Sequence, residues 1–432
     1  MEDTSRPETP RKRTVLELSA DRPLLAAGRR NARFLLVRLQ APAAREESAR
    51  PAVNLSFVVD RSGSMHGDKL RLAKEATLTA IHSLRERDRF SVVAYDDRID
   101  VLVAARAATA GDRRDAEDAV RRTFARGMTD LCGGWEAGCE QIGVSRHDGA
   151  VGRCLLLSDG LANRGVTNHE DIVGRARELA ARGVETSTFG VGRDFDESLL
   201  GDMAAAGGGN FYYVEAAAQI PDFIASEVGE ALETAATGVR LVLDLPEGVR
   251  VRTLNELDTV QEGTRATVAV GTMVSEQALE IVVMLDFPAA TVGERAAVAV
   301  SVRDDDDAFS AVTATAEFTH VEEPQAAGQT RTRDADYAAA QLSAALARRS
   351  ALAFHDHGLF TEAQEALRST AEQILAYESD DPRLREIIDE LVRIDPDFGR
   401  EMSIILKKLH YTQSWHGLRG RDARGRAKRE FD

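Results

Sequence analysis

Val53-Asn54-Leu55-Ser56-Phe57-Val58-Val59-Asp60-Arg61-Ser62-Gly63-Ser64 decides the fold. The run from Val53 to Val59 is apolar except at Asn54 and Ser56. That composition predicts a strand covered on both faces, as in a parallel sheet. The strand ends in a carboxylate, Asp60, followed by hydroxyls at alternate positions, Ser62 and Ser64. A loop leaving the C-terminal end of such a strand is where open α/β sheets hold ligands. All three side chains offer oxygen, which suits a hard divalent cation such as Mg²⁺. Gly63 permits the tight turn that lets both hydroxyls face one point.

Two later stretches extend this chemistry. Gly127-Met128-Thr129-Asp130 places a hydroxyl in a loop, and Leu155-Leu156-Leu157-Ser158-Asp159-Gly160 is a second apolar strand ending in a carboxylate. With these residues in view, the chain resembles the von Willebrand factor A (VWA) family. That family's metal-ion-dependent adhesion site (MIDAS) is D-x-S-x-S, a loop threonine and a strand-end aspartate. Asp60, Ser62, Ser64, Thr129 and Asp159 match it. The resemblance covers residues 51–236. It implies a doubly wound, mostly parallel α/β sheet and Mg²⁺, Mn²⁺ or Ca²⁺ held by the three hydroxyls, with the two aspartates contributing directly or through water. It also implies a protein partner that supplies a Glu or Asp to the metal.

Strand and helix signals alternate through this core, as a doubly wound sheet requires. Ala73, Ala76, Ala80, Ile81 and Leu84 recur at helical spacing after Gly67 and give a sheet-facing stripe. Helices are expected over 113–124, 133–142, 169–182, 197–206 and 220–236.

The flanks differ in character. Residues 1–12 are polar and read as disordered. Two strand-like runs within 13–45 precede the core, and residues 45–52 read as a polar connector. Residues 237–321 carry alternating β-rich runs and predict an antiparallel sandwich, which the strands of 13–45 are expected to complete, leaving the core as an insertion. VWA domains followed by such a β-unit resemble the inter-alpha-trypsin inhibitor heavy chains and related bacterial VWA proteins. Asp304 to Asp307 reads as a solvated hairpin tip rather than a calcium loop. Residues 334–412 turn helical after a polar linker and read as a separate packing unit, with breaks at Gly358, Asp380-Asp381 and Pro396. One turn, Gly358 to Ala363, looks like that of a tetratricopeptide repeat, but a solenoid needs about three repeats. His355, Asp356 and His357 are adjacent and read as solvated at a helix end. The basic tail, 413–432, is expected to be disordered, or to meet an acidic partner.

Composition bounds the function. Lys+Arg 55 against Asp+Glu 71 gives −16, which disfavours bulk attraction to nucleic acid or an anionic membrane. No apolar stretch nears the roughly 20 residues that span a bilayer. Cys132, Cys139 and Cys154 make no disulfide framework, and their spacing suits no zinc site. The expectation is a cytoplasmic protein of unassigned oligomeric state. A nucleophilic serine would need a paired base and a G-x-S-x-G turn, which is absent. Gly190-Val191-Gly192 lacks the third glycine of a dinucleotide loop. The reading is therefore a non-enzymatic, metal-dependent interaction module. The alternative is a regulatory subunit of a cytoplasmic complex with a structural metal, beside an AAA+ ATPase or a kinase/phosphatase system. Metal-assisted hydrolysis ranks below both.

Overall fold

The computed structural model describes residues 15–44, 51–144, 150–309, 312–377 and 379–431. The expectations for residues 1–12 and most of the 45–52 connector lie outside them. The chain divides into two compact units. One draws on 1–50, 233–339 and 427–432, the other on 51–232 and 340–426.

In the first unit, β1 (Val15–Ala20) pairs antiparallel with β3 (Asn31–Gln40), and β2 (Leu24–Ala26) lies between them in sequence. The chain then enters the second unit at β4 (Val53–Asp60), all eight residues of which are buried. Next come α1 (Asp68–Ser83), β5 (Arg89–Tyr95), β6 (Ile99–Ala107), α2 (Ala110–Arg121), α3 (Leu131–Val144) and β7 (Val151–Ser158). α4 (His169–Ala181), β8 (Val184–Val191), α5 (Glu197–Ala206), β9 (Gly208–Val214) and α6 (Ile220–Leu232) complete the alternation. The sheet order is β6-β5-β4-β7-β8-β9, with β6 the antiparallel edge. From β4 the sheet grows one way through β5 and from β7 the other way. The switch point therefore falls between the C-terminal ends of β4 and β7, where Asp60 and Asp159 stand.

The polar Ser56 within β4 has a packing reason. Val53, Leu55, Phe57 and Val59 enter one apolar core. On the opposite face Ser91 Oγ donates to Ser56 Oγ at 2.9 Å. A Cβ on Gly138 of α3 would collide with Val58 and reach 3.0 Å from Ser56 Oγ. Small and polar residues there let α3 approach the sheet closely.

Returning to the first unit, β10 (Thr234–Asp244), β11 (Arg250–Thr253), β12 (Thr259–Glu262), β13 (Arg265–Val274), β14 (Ala278–Phe287), β15 (Arg295–Arg303) and β16 (Thr313–Val321) build two sheets with the early strands. Their orders are β1-β3-β14-β11 and β12-β13-β10-β15-β16-β2. β3 is a central strand, and Leu35, Val37 and Leu39 lie in the core beside Ile281, Val283 and Leu285. β11 and β12 are too short to show in the sequence. α6 stops at Leu232, four residues short of the expected end, because β10 begins at Thr234.

The four consecutive aspartates lie in the turn between β15 and β16, with Asp305 and Asp307 exposed as expected, but Asp304 and Asp306 are not simply solvated. Asp304 Oδ1 accepts from the amides of Asp306 and Ala308 at 3.0 and 2.8 Å, and its Oδ2 from that of Phe309 at 3.1 Å. Asp306 Oδ2 accepts from the Thr237 amide and hydroxyl, each at 2.7 Å. These carboxylates are thus occupied by the chain's own donors, which pin the turn to the irregular start of β10. Asp304→Ala strands three amides and is expected to cost about 2 kcal/mol. Calcium is expected to leave the melting temperature of the unsubstituted protein unchanged; a calcium-induced rise would restore the calcium reading.

α7 (Glu323–Ala327) leads to α8 (Arg333–Asp356), α9 (Phe360–Leu375), α10 (Pro382–Phe398) and α11 (Ile404–Leu418). Among the described residues no helix is long and apolar enough to cross a membrane. Four expectations need correction here. The helical region is not its own packing unit: from residue 340 it belongs with the α/β core. Phe211 of β9 packs edge-on to Tyr411 and Trp415 of α11, with ring centroids 5.7 and 6.1 Å apart. Trp415 Nε1 donates to the Gly201 carbonyl of α5 at 3.3 Å. Second, α10 continues through Pro396 to Phe398, because the buried stripe Leu384, Ile387, Leu391, Ile394 and Phe398 continues past the proline. Third, the 413–432 tail is neither wholly irregular nor free. α11 extends to Leu418, and Arg421 Nη1 reaches Glu230 Oε2 of α6 at 2.6 Å. His355 is also not solvated: it is buried against the rings of Phe360 and Phe398.

Candidate metal centre

The loop after β4 is turned by its own carboxylate. Asp60 Oδ1 accepts from the Ser62 amide at 2.7 Å, and Asp60 Oδ2 accepts from Ser158 Oγ at 2.9 Å. That leads Ser62 and Ser64 back over the strand end, where their hydroxyl oxygens lie 3.0 Å apart. Ser64 Oγ then donates to Asp159 Oδ1 at 2.7 Å. Thr129 Oγ1 and Ser64 Oγ both flank Gly160, lying 3.5 and 3.9 Å from where a Cβ on that glycine would sit. The structure therefore brings Asp60, Ser62, Ser64, Thr129 and Asp159 to one point at the switch of the sheet.

Asp60 and Asp159 are fully buried. Burial pushes the Asp60 carboxyl up to about 6, with hydrogen bonds from Ser62 and Ser158 opposing and the charge of Asp159 adding to the rise. Tyr95, wholly buried beside them, is pushed well above its ordinary value by burial and then by the Asp60 charge. The groups acting on Asp60 are thus hydroxyls, an amide and a second carboxylate. Such a site carries excess negative charge in a dry place. An all-oxygen set of hydroxyls and carboxylates fits a hard divalent cation. Among the described residues no group of three or more His, Cys, Asp or Glu is placed to hold a metal ion by itself.

Several residues that hold this geometry escaped sequence reading. Arg61 Nε lies 3.2 Å and Arg126 Nε 2.7 Å from Asp96 Oδ2, and the second nitrogens of both arginines meet Asp100 Oδ2 at 2.5 and 3.2 Å. The Arg126 amide donates to the Arg61 carbonyl at 2.7 Å, and the Gly63 amide to the Gly127 carbonyl at 3.2 Å. The serine loop and the threonine loop are thus zipped together and clamped on the β5–β6 turn. Gly127 has φ +72°, and a side chain there would strike Asp97. Asn163 brackets Thr129 from the other side: its Oδ1 accepts from the Thr129 amide at 3.0 Å, and its amide donates to the Thr129 carbonyl at 3.2 Å. Lys69, in the first turn of α1, donates to Asp159 Oδ2 at 2.5 Å. These partners lie 26 to 90 residues apart in sequence, and no local pattern announces them.

Comparison with known proteins agrees with this architecture. Residues 54–226 match the model of the von Willebrand factor type A domain. The solved structure titled von Willebrand factor type A from Catenulispora acidiphila aligns over 92% of this chain and 99% of its own, with a TM-score of 0.66 at 17% identity, a likeness of fold. The uncharacterized protein YfbK of Escherichia coli K12 is 29% identical over 202 residues, 46% of this chain and 35% of that protein. Inter-alpha-trypsin inhibitor heavy chain H1 of Mesocricetus auratus is 29% identical over 162 residues, 36% of this chain and 18% of that protein. The match thus spans about a third of the bacterial relative and under a fifth of the hamster one. Sheet order, strand-end aspartates and family match converge on one assignment: residues 54–226 of this chain are a von Willebrand factor type A domain.

Proposed function

We propose that this chain is a non-enzymatic, divalent-cation-dependent protein-binding module. The observation that carries the reading is the convergence of three hydroxyls and two buried carboxylates at the switch of the sheet. Ser62, Ser64 and Thr129 would hold Mg²⁺ through their hydroxyls, with Asp60 and Asp159 beside them. Bound there, the cation supplies a Lewis-acidic point for an outside oxygen. The chain's own residues fix the hydroxyls and exclude water from the two carboxylates. The serine hydroxyls are engaged with each other and with Asp159, an arrangement for coordination rather than for nucleophilic attack. The partner is read as a protein presenting a Glu or Asp side chain, since a carboxylate complements a metal held by so few charges.

The test is affinity capture with the purified full chain in Mg²⁺ and in EDTA, with Thr129→Ala as a control. The expected outcome is a partner retained in Mg²⁺, released by EDTA and missed by the Thr129 variant. A partner held equally in all three conditions would mean that another surface does the binding.

A further inference from the structure

Lys69 is the unexpected charge in this site. Its Nζ lies 2.5 Å from Asp159 Oδ2, while the other oxygen of that carboxylate accepts from Ser64. Asp159 is fully buried, and the Lys69 side chain is 28% exposed, so the ammonium lies between the carboxylate and solvent. The backbone of Gly192 borders the ammonium without crowding it: a Cβ there would lie 3.6 Å from Nζ, in ordinary contact. The position in α1 is close to obligatory. Lys69 is the second residue of a helix that starts directly after the serine loop, so its reach is set by the same turn that sets the hydroxyls.

The charges that face the point are Asp60, Asp159 and Lys69. Arg61 and Arg126 are matched by Asp96 and Asp100 in their own cluster. The three facing charges add to −1, so a divalent cation brings the site to +1. Without Lys69 the loaded site would be neutral. In a partly desolvated place one unit charge a few ångströms away changes binding by a large factor.

We infer that Lys69 is a specificity-determining residue that sets the sign of the loaded site, weakening the hold on the cation and strengthening the hold on an anionic partner group. The inference rests on the metal-binding reading above. It separates two properties that a merely structural ion pair would move together. The attraction that Asp159 offers a cation is shared with the ammonium, so cation affinity falls. The same ammonium, partly exposed to solvent, adds to the field that an incoming carboxylate meets, so partner affinity rises.

The experiment uses the full chain, Mn²⁺ as the cation and acetate as the carboxylate probe. Mn²⁺ affinity is read by calorimetry, and acetate binding by the relaxation of its methyl protons near the bound Mn²⁺. In Lys69→Met, Mn²⁺ is expected to bind about tenfold more tightly and acetate about tenfold more weakly, within the usual range of coupling between two sites. Lys69→Arg keeps the charge and is expected to restore both affinities to within about threefold of the unsubstituted protein. Melting in EDTA establishes that each variant is folded. Loss of both affinities in Lys69→Met, or no change in either, would overturn the inference and leave Lys69 as a structural ion pair of the helix start. Thr129→Ala is measured alongside. If it binds Mn²⁺ as the unsubstituted protein does, the metal site itself has failed, whatever Lys69 does.

Discussion

Replacing Thr129 with alanine is expected to weaken Mg²⁺ binding at least about a hundredfold while leaving the fold intact, since losing even an indirect support of a metal costs about 10- to 100-fold. Thr129 is held through its backbone by Asn163, so the substitution deletes one hydroxyl without freeing the loop. Asp60→Asn should match that loss and add a signature in pH. Burial raises the Asp60 carboxyl to about 6, so below that pH a cation must displace a proton. Affinity of the unsubstituted protein should fall about tenfold per unit below pH 6 and level off above it. The sign for folding is opposite. The folded protein holds this proton up to about pH 6 and the unfolded chain releases it near 3.8, so in EDTA the group removes stability as pH rises through that window. Asn keeps the shape without the charge. In EDTA at pH 7, Asp60→Asn is therefore expected to melt higher than the unsubstituted protein, a site destabilised for its function. Calorimetric Mg²⁺ binding that survives in either variant would dissolve the assignment of the site. A lower melting point for Asp60→Asn in EDTA would mean that burial is not what governs the carboxyl.

What could be read from the chain and what could not divides along sequence distance. β4 and the Leu155–Leu157 run of β7 announce themselves because a strand covered on both faces is mostly apolar, and an aspartate stands at the end of β4 and directly after β7. The chemistry of Asp60, Ser62 and Ser64 is compressed into a few positions, so its spacing alone carries meaning. The supports have no such compression. Asp96 serves Arg61 and Arg126, 35 and 30 residues away, and Lys69 meets Asp159 at a separation of 90. Each of these looks like any surface charge until the sheet brings its partner near. Asp304 misled for a related reason: a run of carboxylates suggests solvent, but three neighbouring amides consume one of them. The end of the chain hid a legible signal. Tyr411, Trp415 and Leu418 recur at helical spacing and are all buried, a stripe masked by the Gly- and Arg-rich residues that follow.

Arg421→Ala is expected to lower the melting temperature of the α/β unit by about 6 to 12 °C. Arg421 Nη1 and Glu230 Oε2 lie 2.6 Å apart, with only 10% and 8% of the two side chains exposed. Glu227, one turn earlier on α6, is fully buried, and Arg153 Nη1, Ser187, Asn210 and Tyr212 together satisfy its oxygens. Removing Arg421 breaks a nearly buried ion pair, a change that costs about 3 to 5 kcal/mol. In a unit of this size about 3 kcal/mol corresponds to the stated shift. A chain ending at Leu418 should lose at least as much, since it also lacks Gly425, which packs bare against Tyr212. The acidic partner foreseen for the basic tail is thus, for this arginine, the chain's own α6. Calorimetry of the full chain, of Arg421→Ala and of the double variant Arg421→Ala/Glu230→Gln separates the causes. The double variant should recover part of the loss, because it also removes a buried negative charge that Arg421 had offset. Equal melting of all three proteins would show that the arginine and glutamate are solvated in solution. The tail would then be the free basic segment that its composition suggests.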